Sequence, residues 1–126
     1  MADMDDLFDL MERNMQHLFQ ERVQQRLACG CWRPSLDIYE LADRIVVLVE
    51  LPGVEKEHVR VTFDQGILNI EGERPDPAPG GTVQRHQIEI DYGRFRRRIR
   101  LGIPVKSSEI EAGLNDGYLR VEIPKG

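Results

Sequence analysis

The run from Arg44 to Val54, Arg-Ile-Val-Val-Leu-Val-Glu-Leu-Pro-Gly-Val, sets β-branched residues or leucine on both phases of a period-2 repeat. Ile45, Val47, Val49 and Leu51 fall on one face and Val46 and Leu48 on the other. This spacing predicts a central strand, packed on both faces or lying beneath something mobile, that Pro52 and Gly53 bring to an end. Before it, Leu36 and Ile38 alternate with Asp37 and Tyr39 in a short first strand. After it, Val59, Val61 and Phe63 alternate with Arg60 and Thr62, Asp64-Gln65-Gly66 turns the chain, and Leu68 and Ile70 alternate with Asn69 and Glu71. These are hairpin signals.

The rhythm breaks at Arg74-Pro75-Asp76-Pro77-Ala78-Pro79-Gly80-Gly81, whose prolines and glycines exclude a strand interior and predict an exposed loop. Beyond it Ile88, Ile90 and Tyr92 alternate with Gln87, Glu89 and Asp91, predicting a strand. A strand set off by so long a connection is free to leave its own sheet and satisfy its backbone on another subunit. In Gly93 to Leu101, arginines fill one phase, while Arg97 sits between Phe95 and Ile99 on the other. The expectation is that the arginines face carboxylates across a sheet or subunit boundary, with Arg97 a bidentate partner at a partly buried site. Ile110, Ala112 and Leu114 lead through Asn115-Asp116-Gly117, a tight-turn signal, into Leu119, Val121 and Ile123. Seven or eight strands with no helix between them call for an all-β antiparallel sandwich.

Residues Asp3 to Leu27 follow a different period. Leu7, Phe8, Leu10, Met11, Met15, Leu18 and Phe19 recur at helical spacings without proline or glycine. Two readings stay open: a helix packed on its own domain, or an arm whose flexible and large apolar groups suit partners of many shapes. Composition shifts at Ala28 to Pro34, so we place an amphipathic arm, helical or flexible, at 1–33 and a β-domain at 34–126.

Charge and chemistry narrow the function classes. A net charge of -5 argues against nucleic acid, and the arginine segment has no interleaved aromatic residues for base stacking. No apolar run is long enough for a membrane span, and the acidic start is wrong for a secretory signal, so the expected location is the cytoplasm. Cys29 and Cys31 cannot staple a domain; a metal site, a redox role and disulfides between subunits are the alternatives to two unremarkable thiols beside a hinge, and the thiols are expected. His17, His58 and His86 lack ligand spacing, and no Ser/His/Asp set, paired apolar carboxylates or Gly-x-x-x-x-Gly-Lys loop is present. Neither an enzyme, a metal nor a cofactor is expected.

Three local patterns then combine: Val49-Glu50-Leu51-Pro52-Gly53-Val54, Gly93-x-Phe95-x-Arg97-x-Ile99-x-Leu101, and Ala112-x-x-x-x-Gly117-x-Leu119. With them the chain resembles the small heat-shock proteins of the bacterial and plant branch, and the likeness covers the α-crystallin domain from about Pro34 to Pro124. The resemblance implies an immunoglobulin-like sandwich that dimerises and builds larger homo-oligomers. It implies that the strand about Gln87 to Asp91 pairs with the partner subunit and that Arg97 lies near that contact, giving an interface of Ile88, Ile90, Tyr92 and Arg97. It also implies ATP-independent holding of partly unfolded proteins, by Leu7, Phe8, Met11, Met15, Leu18 and Phe19 of the arm and by a groove lined with Val59, Val61, Leu114 and Leu119. Two departures stand out. The sequence stops at Gly126 without the family's Ile-x-Ile or Ile-x-Val tail, either because the tail was removed or because the protein assembles without it, so the groove is expected empty or filled by the arm; Leu101-Gly102-Ile103-Pro104 is expected to form a bulge. The rival from another class is a monomeric co-chaperone-like adaptor that binds one native partner.

Overall fold

The central run folds as expected. Arg44–Glu50 forms β2, with β1 (Leu36–Glu40) and β7 (Tyr118–Pro124) antiparallel on either side. The computed structural model describes residues 30–126. Four more strands complete the order: β3 (Val59–Asp64), β4 (Ile67–Arg74), β5 (Gly93–Arg100) and β6 (Glu111–Asn115) join the three above. They form one four-stranded sheet, β1-β2-β7-β6, and one three-stranded sheet, β3-β4-β5. All five pairings are antiparallel. The sandwich predicted from alternation is therefore the architecture, with single 3-10 turns at Lys56–His58 and Ser107–Glu109 that no periodic pattern announces.

The inward phase of each strand makes the core. Val47, Val49, Leu68, Ile70, Val121 and Ile123 have no exposed surface, and Phe95 closes the layer against the ring of Trp32, with centroids 5.5 Å apart. The outward phase of β2 is also covered, but by neighbours and not by a third layer. Val46 is 4% exposed because it lies between Tyr39 on β1 and Glu122 on β7. The long side chains of a central strand's neighbours thus suffice to hide a valine on a nominally wet face.

Tight turns fix the registers. Gln65 and Gly66 have φ of 50° and 78°, and Asp116 and Gly117 have 51° and 81°, the two consecutive positive values of a type I′ hairpin. Gly117 is doubly required, since a Cβ there would stand 3.4 Å from Cα of Pro52 at the end of the β2 exit. A tighter case is Gly72, directly across from Val59 and Phe95. An added Cβ would lie 2.1 Å from the His58 carbonyl oxygen and 2.7 Å from Cζ of Phe95.

Several expectations change. The alternating segment Ile88 to Tyr92 forms no ladder with any strand among the described residues; residues 75–92 are one long connection between β4 and β5. Strand β5 ends at Arg100, and the Leu101 amide donates to the Gly66 carbonyl at 2.9 Å, so Leu101 to Pro104 is a strand exit and not a bulge. Cys31 is buried and disulfide-bonded, not the plain thiol expected. It and Trp32, assigned to the arm by composition, pack into the sandwich. Trp32 makes a parallel bridge to Phe95, its amide donating to the Arg94 carbonyl and its own carbonyl accepting from the Arg96 amide.

Candidate functional site

Unequal layers shape the surface. The chain enters β1 from the outer edge of β5, held there by the Trp32 bridge, so β5 lies on the β1 side and the β3 edge falls on the side of β6. Three strands cannot cover four. Ile38 pairs with Val47 and shares its inward face, yet is 49% exposed, and Tyr39 and Leu41 beside it are open too. Strand β1 is therefore an edge whose outer backbone groups are unpaired by any strand among the described residues and whose Ile38 and Tyr39 side chains are open, an arrangement that invites an added strand.

The long connection supplies apolar residues of matching kind. Ile88 and Ile90 are 59% and 65% exposed, and with Pro77, Pro79 and Tyr92 they line a shallow cavity of about 400 Å³. The base of the connection is fastened by Arg74. Its Nε donates to the Asp91 carbonyl at 2.8 Å, Nη2 donates to the same oxygen, Nη1 donates to the Pro52 carbonyl at 3.2 Å, and its guanidinium stacks 4.2 Å above the Trp32 ring. Partial burial lowers its pKa, with Glu50 opposing. Within the connection, Arg85 grips Asp76 through two contacts of 2.6 and 3.3 Å and donates to the Tyr92 hydroxyl at 3.2 Å. The hydrogen bonds from Arg85 hold the Asp76 carboxyl below its ordinary range. Sequence reading missed Arg74 and the Asp76-Arg85 pair, because nothing in an isolated arginine or aspartate forecasts a partner across a proline-rich stretch.

Arg97 is where the inward phase of β5 puts it, half-buried between Phe95 and Ile99. Its Nη1 donates to the Pro34 carbonyl at 2.7 Å. Among the described residues no carboxylate lies within ion-pair distance, so the expected bidentate partner is not in this chain's described part. Burial, aided by the nearby charge of Arg33, pushes its pKa down to about 10. The guanidinium remains charged at neutral pH and carries a desolvation cost that a facing carboxylate would relieve.

The groove residues divide. Val59 and Val61 on β3 and Leu114 on β6 are partly buried at the edges of the two sheets, joined by Phe63 and Ile110. Leu119 is a core residue at 3% exposure and offers little to a docked peptide. In the third sequence pattern, Ala112 lies exposed on β6, Gly117 makes the hairpin and Leu119 fills the core, so that pattern encodes a turn and its packing. Leu7, Phe8, Met11, Met15, Leu18 and Phe19 lie outside the described residues. Among the described residues no helix is long and apolar enough to cross a membrane.

Comparison with known proteins bears on these surfaces. Residues 37–126 match the model of the Hsp20/alpha crystallin family. Heat shock protein 16 of Schizosaccharomyces pombe is 38% identical over 94 residues, 73% of this chain and 66% of that protein. The 16.9 kDa class I heat shock protein 1 of Triticum aestivum is 38% identical over 91 residues, 71% of this chain and 60% of that protein. The match thus spans less than two-thirds of either relative's length. Among solved structures, hspA from Xanthomonas axonopodis superposes with a TM-score of 0.68 at 36% identity, covering 75% of this chain and 94% of that one. The β-sandwich described above is an α-crystallin domain, and the chain belongs to the Hsp20/α-crystallin family of small heat-shock proteins.

Proposed function

We propose that the protein is an ATP-independent holdase of the cytoplasm, which binds partly unfolded proteins and prevents their aggregation as a homodimer and higher homo-oligomer. The observation that carries this reading is the presence of two incomplete elements: an edge at β1 with Ile38 and Tyr39 uncovered, and a segment, Ile88 to Tyr92, with exposed isoleucines and no ladder among the described residues. Residues 87–91 number as many as β1, so one segment can pair along the full length of that strand in a second copy. Twofold symmetry makes the exchange reciprocal. Arg97 then acquires a carboxylate from the partner, which relieves its burial.

The remaining apolar surface serves clients. Val59, Val61 and Leu114 on the sheet edges, with Leu7, Phe8, Met11, Met15, Leu18 and Phe19 of the arm, meet the apolar segments that heat exposes. At about 25 cal/mol per Å², burying about 600 Å² of apolar surface contributes about 15 kcal/mol, enough for micromolar capture after about 7 kcal/mol of association and ordering costs. No covalent step or nucleotide is involved. The net charge of -5 favours solubility of the loaded complex.

The test is light scattering from a heated client protein at near-equal mass ratio without ATP. We expect slower aggregation, and weaker protection once residues 1–27 are deleted. An unprotected client would refute the holdase reading; undiminished protection by the truncated chain would remove the arm from it. A mass that stays monomeric at all concentrations would favour the adaptor reading instead.

A further inference from the structure

The outer face of the β3-β4-β5 sheet carries a charge that opposes that of the whole chain. Arg94, Arg96, Arg98 and Arg100 fall on the outward phase of β5, and Arg60 joins them from β3. The same face holds the carboxylates Glu71, Glu73 and Asp64. They are unevenly placed. Arg96 has Glu71 directly across and Arg94 has Glu73, but Arg98 faces Asn69 and Arg100 faces Ile67. Arg98 and Arg100 are exposed, and among the described residues neither has a carboxylate within ion-pair distance. In a chain of net charge -5, this end of the sheet is locally cationic.

The opposite charge lies at the start of the same chain. Residues 3–12 contain Asp3, Asp5, Asp6, Asp9 and Glu12, and the first base is Arg13. The point at which this part of the chain reaches the described structure is the arginine strand itself: Trp32 bridges Phe95, and Cys31 shares a cavity with Glu71, Arg94 and Arg96. Residues 13–30 reach about 60 Å if extended and about 27 Å if helical. Strand β5 is about 26 Å long. Either conformation lets residues 3–12 reach Arg98 and Arg100 in the same copy.

We propose that the acidic segment 3–12 docks on the outer face of its own β3-β4-β5 sheet, its carboxylates engaging Arg98 and Arg100, with Arg60 and Arg94 alongside. Such docking would hold Leu7, Phe8 and Met11 against the domain. It is salt-sensitive, because the screening length falls from about 10 Å at 0.1 M salt to about 3 Å at 1 M. The inference does not depend on holdase activity, only on the folded domain and the charge of the segment.

The test is photo-cross-linking of the full-length protein carrying a benzophenone side chain in place of Phe8, with copies of two isotopic labels mixed. We expect cross-links to peptides of β3 and β5 within one label. Arg98→Gln with Arg100→Gln, or 1 M salt, should lower their yield roughly three- to tenfold, the effect of a few exposed charge pairs. Charge exchange guards against a folding artefact: Arg98→Glu with Arg100→Glu should abolish the cross-link, and adding Asp5→Arg with Asp6→Arg should restore it. Yields indifferent to salt and to the arginine substitutions would overturn the proposal. So would cross-links confined to differently labelled copies, or a face protected instead by an added polyanion with no change in the segment.

Discussion

Replacing Ile88 and Ile90 by serine separates assembly from folding. Both side chains are exposed in the single chain, at 59% and 65%, and neither belongs to the core cluster. Burying a whole isoleucine is worth about 1.5–3 kcal/mol, so covering the exposed share of each returns about 1–2 kcal/mol. A reciprocal exchange covers four such residues, a gross gain of about 4–8 kcal/mol. Ordering the segment takes back part of this. A net loss near 3 kcal/mol, about half the middle of that range, is more than a hundredfold in the dimer dissociation constant. The assay is sedimentation equilibrium across a wide concentration range, beside urea unfolding of the same variant under dilute conditions. The dimer should dissociate while the unfolding free energy of the dilute domain changes by no more than about 0.5 kcal/mol, as for other surface changes. An unaltered dissociation constant would refute the exchanged-segment reasoning, and collapse of the dilute domain would show that the isoleucines serve their own sandwich.

Two further outcomes follow from local geometry. Gly72→Ala forces a methyl group into the His58 carbonyl and the Phe95 ring, an overpacking cost of about 1–3 kcal/mol that should lower the melting temperature by about 4–8 °C per kcal/mol; an unchanged melting curve would refute the close approach. Asp76 has a folded pKa below its ordinary value, so the order it lends the long connection is complete above the ordinary carboxylate pKa near 4 and is lost as pH falls through the folded value. Asp76→Asn should mimic that loss at neutral pH and quicken tryptic cleavage after Arg85, whereas equal cleavage rates would sever the pair from the order of the connection.

What could be read from the sequence was what depends on near neighbours. Period-2 alternation located β2, β3 and β7 within a residue or so, and the start of β4, because each strand hides one face against the same core; β4 runs three residues beyond its alternating part, to Arg74. Asn115-Asp116-Gly117 announced its turn because consecutive positive φ values favour those residue types. Trp32 was misplaced for the converse reason: its burial comes from a bridge to Phe95, 63 positions away, which composition does not register. Leu119 was counted as groove because a strand residue near an edge reads the same whether it points in or out of a sandwich. The pairing of Ile88 with anything at all lies between molecules, and a single chain's pattern signals only that the residue wants cover. Nothing in the sequence marks Gly72, since the His58 carbonyl it must pass is set by the fold alone.

The fastening at Arg74 has a consequence for how such a protein can change over generations. Its bonds to Asp91 and Pro52 fix the base of the excursion, while the crest around Gly80, Gly81 and the fully exposed Val83 is held by little more than local contacts. Residues inserted into or lost from the crest leave the point of departure where it was. Lineages descending from this chain are therefore free to vary the length of the hairpin crown while inheriting an unaltered exit direction for the isoleucines that follow it.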